Sequence, residues 1–221
     1  MRTPDRFTVP FASFSCCAMM SAMELPLFPL STVLLPGGSL PLRVFEPRYL
    51  DMIKRCLREE RGFGVVLIRS GSEVRGADTS TQPRTFTIGT VARIVDFNQL
   101  SDGLLGIVCC GDERFRILGT AEQADGLLLG DVQLLPEEPE GVLNATHDAL
   151  VDILKELVKH PMIEKLGVQV DFDSARSVSW RLAELLPIEP EIKQSLLQMT
   201  LPRERLAELN RLVRKLRGDP L

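Results

Sequence analysis

Histidine and the large aromatics are scarce in this sequence: 221 residues hold two histidines, one tryptophan and one tyrosine. His147 and His160 lie near opposite ends of one predicted helix and form no His-Glu-x-x-His pair, so no metal site is expected. His147 reads as a satisfied residue at the edge of a core. Cysteine is sparse and odd in number, as Cys16-Cys17, Cys56 and Cys109-Cys110. Adjacent pairs lack the two-residue gap of a zinc knuckle, and an odd count without framework spacing fits a reducing, cytoplasmic compartment. No apolar run approaches the ~18 residues that a membrane-spanning helix needs. A net charge of -4 gives no global attraction for nucleic acid or anionic lipid.

Catalytic patterns are missing as well. Gly71 and Gly76 have the spacing of a phosphate-binding loop, but Ala77 and Asp78 stand where a lysine and a Ser/Thr would meet phosphate and magnesium. The chain has no G-x-S-x-G nucleophile elbow. Glu46, with Arg48 and Asp51 nearby, reads as helix-start electrostatics rather than acid–base chemistry. Asp171 and Asp173 flank Phe172 before a predicted helix, where capping needs no ligand. No catalytic residue, cofactor or metal is therefore expected.

What the chain does have is ordinary globular composition, 44% hydrophobic and 25% charged, at a length that suits one large or two small domains. The first 23 residues read as a disordered extension. Arg2 and Arg6 precede an apolar stretch in the outline of a signal peptide, but Asp5, Pro10, Ser13 and Ser15 interrupt it. Met20 and Met23 are alternative starts.

The run from Glu24 to Ile53 organises the rest. Leu25, Leu27, Phe28 and Leu30 alternate around Pro26 and Pro29, and proline cannot donate to a ladder, so an edge or terminal strand is expected. Pro36-Gly37-Gly38 makes a turn. In the next strand Leu40, Leu42 and Val44 share one face, while Pro41, Arg43 and Phe45 share the other. Pro47 opens a helix to about Glu60 with an apolar stripe at Leu50, Ile53, Lys54 and Leu57. Strands follow at Phe63–Ile68, Thr85–Phe97, Leu104–Cys110, Arg114–Leu118 and Leu127–Leu135. Asp102-Gly103 and Asp125-Gly126 serve as hairpin turns. Ser70 to Arg84 is an exposed connection.

The acid-rich stretch from Pro136 to Gly141 then acts as a linker. Helices are expected over Leu143–Lys159, from Ser174 to Pro187, over Glu189–Met199 and over Pro202–Arg217. Arg203, Arg205, Arg211, Arg214, Lys215 and Arg217 form a solvated basic face on the last helix. Trp180 lies opposite the apolar stripe of its helix, which implies a second buried contact.

Leu25–Leu30, Val33–Gly37, Pro41–Phe45 and Pro47–Leu57 together resemble the opening of the substrate-binding (N-terminal) domain of the Lon protease family. The resemblance continues at Phe86–Ile94, Glu113–Leu118 and Leu185–Leu197, spanning about nine-tenths of the chain. It implies an α+β fold, with a PUA-like β pseudo-barrel at residues 24–136 and a C-terminal helical bundle at 142–218. The chain reads as a stand-alone, bacterial-type version without the ATPase and Ser-Lys peptidase modules.

The function implied is non-catalytic recognition of unfolded or extended polypeptide, as an adaptor or substrate receptor in protein quality control with a separate protease as partner. RNA binding through the PUA-like fold and an uncharacterised hydrolase activity are the alternatives. Residues 24–136 carry 12 Lys/Arg against 14 Asp/Glu, which argues against a phosphate-tracking surface. Strand alternation turns Arg43 and Phe45 outward beside a proline-interrupted strand. Phe28, Arg43 and Phe45 are thus the expected peptide-binding residues. The purified chain should neither hydrolyse ATP nor cleave casein. An activity that co-purifies with it and is lost on a single substitution would show that a catalytic site was missed.

Overall fold

A computed structural model describes residues 22–71, 73, 83–100, 104–164 and 168–218. The disordered extension expected at the N-terminus and most of the connection from Ser70 to Arg84, with its glycine-spaced loop, lie outside these residues. The described chain forms a mixed α/β structure with a large, mostly antiparallel sheet and six helices.

The strands are β1 (Met23–Leu30), β2 (Ser39–Val44), β3 (Phe63–Ser70), β4 (Arg84–Thr85), β5 (Ile88–Gln99), β6 (Leu105–Glu122) and β7 (Leu128–Leu134). Their order is β1-β7-β6-β5-β3-β4, with β2 on β6 and a further parallel pairing of β1 with β3. The path therefore returns to β1. This corrects the expectation of an edge strand there. β1 divides its length, giving Met23–Leu27 to β7 and Leu27–Leu30 to β3. Because neither neighbour runs its whole length, the N–H groups that Pro26 and Pro29 lack interrupt no continuous ladder.

The two strands expected around Cys110 and Arg114 are one 18-residue strand, β6. Thr90 pairs with Arg114 and Ala92 with Gly111, so Asp112 and Glu113 together oppose the single residue Val91. This is a β-bulge, which sharpens the twist and re-aims side chains without ending the strand. Beside it the backbones converge. Gly37 N–H donates to the Gly111 carbonyl at 2.6 Å and Gly111 N–H to the Gly38 carbonyl at 2.8 Å. A Cβ on Gly111 would lie 2.2 Å from the Leu35 carbonyl oxygen, so only glycine fits. The turn at Asp125-Gly126 forms as expected, with Gly126 at φ +84° and the Asp125 carboxylate accepting from Leu127 N–H at 2.9 Å. The turn expected at Asp102-Gly103 lies outside the described residues.

The helices are α1 (Pro47–Glu59), α2 (Asp148–Val158), α3 (Pro161–Glu164), α4 (Ala175–Leu185), α5 (Pro190–Gln198) and α6 (Pro202–Arg217). Proline opens α1, α5 and α6, and Ser174 caps α4 by accepting from Ser177 N–H at 3.2 Å. The buried face of α1 is Tyr49, Met52, Ile53 and Cys56, so the stripe expected at Leu50, Ile53, Lys54 and Leu57 holds at Ile53 and is otherwise rotated. Lys54 lies outside the buried face, its ammonium reaching out to Asp51 at 3.0 Å. In α6, Leu206, Leu209, Leu212 and Val213 are buried and Leu216 is exposed.

Three apolar clusters hold these elements. Tyr49, Ile53, Phe63 and Ile107 pack α1 against the sheet; Leu25, Leu27, Phe115 and Val132 fill a second region. The helical cluster around Leu154, Leu182, Leu197 and Leu209 also contains Leu35 and Ile88 from the strand side. The C-terminal helices thus meet the strand side in one shared cluster, and Gln194 of α5 reinforces it by donating to the Ile88 carbonyl at 2.9 Å. Replacing Gly111 with alanine should destabilise the protein by ~1–3 kcal/mol, because the opposing atom is backbone and cannot rotate away. A urea midpoint indistinguishable from the parent's would show that the loop at Leu35 yields freely.

Candidate functional site

The three residues expected to bind peptide do not share a surface. Phe28 is only 8% exposed, stacked on Tyr49 with ring centroids 4.0 Å apart and tilted against Phe63 at 6.0 Å. Its burial corrects the expectation of an outward aromatic. Phe28 lies where β1 passes to its parallel partner β3, opposite Val65, and there its ring turns toward α1. Arg43 and Phe45 are exposed as alternation requires, Phe45 to 51%. His147 is half-buried and accepts from Asn144 N–H at 3.2 Å, completing a helix cap. His160 accepts from Met162 N–H at 3.4 Å. Among the described residues no group of His, Cys, Asp and Glu could hold a metal ion.

Burial draws attention elsewhere. The acidic segment between β7 and α2 sends one carboxylate, Glu138, inward. Arg114, just after the β6 bulge, meets it at 2.7 Å; Arg205, from the first turn of α6, meets it at 2.6 Å. Arg205 also donates to Ser179 Oγ at 3.3 Å and lies over the Trp180 ring at 3.2 Å. Arg114 donates to the Leu197 and Met199 carbonyls at 2.8 and 2.7 Å. A β-strand, a connecting segment and three helices therefore converge on one carboxylate.

The electrostatics follow from that burial. Desolvation drives the Arg205 guanidinium down to about 10, against the opposing pull of Glu138, and lowers Arg114 in the same way. It also pushes the Glu138 carboxyl up, while Arg205 and Arg114 pull it back. Both guanidiniums remain protonated at neutral pH and hold Glu138 between them. This corrects the sequence reading of Arg205 as solvated: it is fully buried. The pattern held a clue, since Arg205, Leu209 and Leu212 keep helical spacing along the buried face of α6. The second contact anticipated for Trp180 is a cation.

Above this cluster opens a cleft of about 770 Å³. The Pro36-Gly37 turn, the bulge at Asp112 and Glu113, the segment from Leu135 to Glu140 and the first turns of α4 wall it. Arg181 fixes the turn by donating to the Gly37 and Pro36 carbonyls at 2.7 and 2.5 Å, and Glu184 pairs with it at 2.6 Å. Arg176 ties the segment to α4 by pairing with Glu137 at 2.6 Å and with Glu140. This rim was not visible in the sequence, because its carboxylates belong to a linker and to what read as a gap between strands.

A family model described as the ATP-dependent protease La (LON) substrate-binding domain matches residues 24–215. The chain belongs to this family. A crystal structure of a Lon N-terminal domain protein from Xanthomonas campestris superposes with a TM-score of 0.68 at 36% identity, covering 85% of this chain and 96% of that one. The N-terminal domain of Mycobacterium avium complex Lon protease shares the fold at 18% identity and a TM-score of 0.57, over 85% of this chain and 96% of that one. Lon protease 2 of Myxococcus xanthus is 29% identical over 84% of this chain but only 19% of its own length. Protein cereblon of Danio rerio is 31% identical over 53% of this chain and 26% of its own. The chain thus spans about a quarter or less of these two relatives.

Within this Lon-type domain, removing Glu138 should be costly. Glu138→Ala leaves two buried guanidiniums uncompensated and should destabilise the fold by ~3–5 kcal/mol. Arg176→Ala removes exposed pairs and should cost less than about 1 kcal/mol. Comparable urea midpoints for the two variants would show that the buried cluster holds nothing together.

Proposed function

We propose that this chain is a non-catalytic polypeptide-recognition module that receives unfolded or extended segments and presents them to a separate protease in protein quality control. The match to a substrate-binding domain over residues 24–215 carries the reading. In this reading the ring of strand pairings is a PUA-like pseudo-barrel over residues 24–136, with the helices of 142–218 as a second lobe joined to it through Glu138. The charge balance of residues 24–136 gives no support to the RNA-binding alternative.

The exposed ring of Phe45 and the neighbouring Arg43 are one part of the contact surface, since an exposed large aromatic is a common anchor for extended peptide. The test uses a reduced, carboxymethylated test protein and the intact chain. Phe45→Ala should keep the parent's melting temperature and weaken binding by roughly five- to tenfold, the loss expected of one interface anchor of about 1–1.4 kcal/mol. Unchanged affinity in a variant that melts like the parent would remove Phe45 from the surface. No binding by the parent chain would overturn the function.

A further inference from the structure

We propose that the cleft over the buried Arg114–Glu138–Arg205 cluster receives basic side chains, so that the segments this chain prefers carry lysine or arginine. The inference rests on the polypeptide-binding reading above and names the class of segment. Its first support is shape. The cleft, at about 770 Å³, is a size typical of ligand sites, and its walls come from four separate parts of the chain. Trp180, Leu135 and Pro36 add apolar surface to the lining, which suits the methylene stem of a lysine or arginine.

Charge is the second support. Six carboxylates and three guanidiniums line the cleft. All three guanidiniums are already committed. Arg114 is held by Glu138 and two backbone carbonyls, Arg176 by two carboxylates, and Arg181 by Glu184 and two carbonyls of the turn. They have little left to offer an incoming anion.

The carboxylates are not balanced in the same way. Asp112 pairs with Arg93, and Glu137 and Glu140 share the single Arg176. Glu113 and Asp171, both exposed, make no ion pair among the described residues. The buried cluster of Arg114, Glu138 and Arg205 carries one surplus positive charge, which offsets only part of this. The bulge explains how the surplus arises: by fitting two residues opposite Val91, it places Asp112 and Glu113 together on the rim. A regular strand would send consecutive side chains to opposite faces. An ammonium or guanidinium entering the cleft finds Glu113 and Asp171 without an ion-pair partner among the described residues, whereas a phosphate or carboxylate meets net repulsion.

The experiment compares three fluorescein-labelled unstructured peptides of one length, identical except for basic, neutral or acidic residues at fixed positions, and an RNA of similar length. Binding to the intact chain is followed by anisotropy at low and at physiological salt. The basic peptide should bind tightest, lose affinity as salt rises, and weaken by about fivefold in the double variant Glu113→Gln/Asp171→Asn, as two exposed charge pairs imply. Asp171→Asn keeps the carbonyl that accepts from Asp173 N–H, and unchanged melting temperatures confirm that the variant is folded. Equal affinity for all three peptides, or a basic-peptide affinity that the double variant leaves unchanged, overturns the inference while the polypeptide-binding reading stands. Preference for the acidic peptide or the RNA overturns the inference through its charge argument. Failure to bind any peptide overturns both.

Discussion

One buried carboxylate sets the arrangement of everything around it. Glu138 is the counter-charge for two arginines that reach it from distant elements, one on a strand and one on the last helix. Burying a charge is tolerable only where partners replace the lost water, and each of the three groups supplies what the others lack. The geometry is demanding. Arg205 must lie over the Trp180 ring, Arg114 must reach two helix-end carbonyls, and the segment between β7 and α2 must dip at Glu138. Such a site adds little net stability over an apolar plug of equal volume. It does penalise any docking of helices on sheet that leaves one charge unpaired.

The cleft is a by-product of that constraint. Because the connecting segment is pulled inward at Glu138, its neighbours Glu137 and Glu140 stay on the rim with Arg176 between them. The floor is rigid, because it is a bonded cluster, whereas the rim consists of long side chains over solvent. A site of this kind has a fixed depth and an adaptable edge, which suits ligands that share a chemical class but differ in sequence.

Much of the fold was legible because its signals are local. Alternation placed β1 and β2, proline and Ser174 placed the helix starts, and Asp125-Gly126 placed the turn into β7. What escaped depends on partners distant in the chain. The bulge made one strand of two, since a local reading takes Asp112 and Glu113 as a break. Phe28 turned inward because its ring meets Tyr49 on α1, a contact that strand periodicity cannot express. Arg205 looked solvated because arginine usually is, and only Glu138, 67 positions away, makes its burial affordable. Residues whose burial depends on one distant counter-charge are the least readable from composition.

The divided allegiance of β1 has a consequence for how the molecule forms. Leu27 is the handover point, aligned with Gly64 of β3 on one side and Leu128 of β7 on the other. The parallel half can assemble once β3 exists, but the antiparallel half must wait for the last strand. On a ribosome the first strand therefore leaves the exit tunnel with half of its hydrogen-bonding edge unmet, and keeps it so until the whole sheet has been synthesised. Pro26 falls in that waiting half, and a residue without an N–H is a poor template for a stray strand. The same proline that seemed to forbid an interior position guards the nascent chain against pairing with the wrong neighbour.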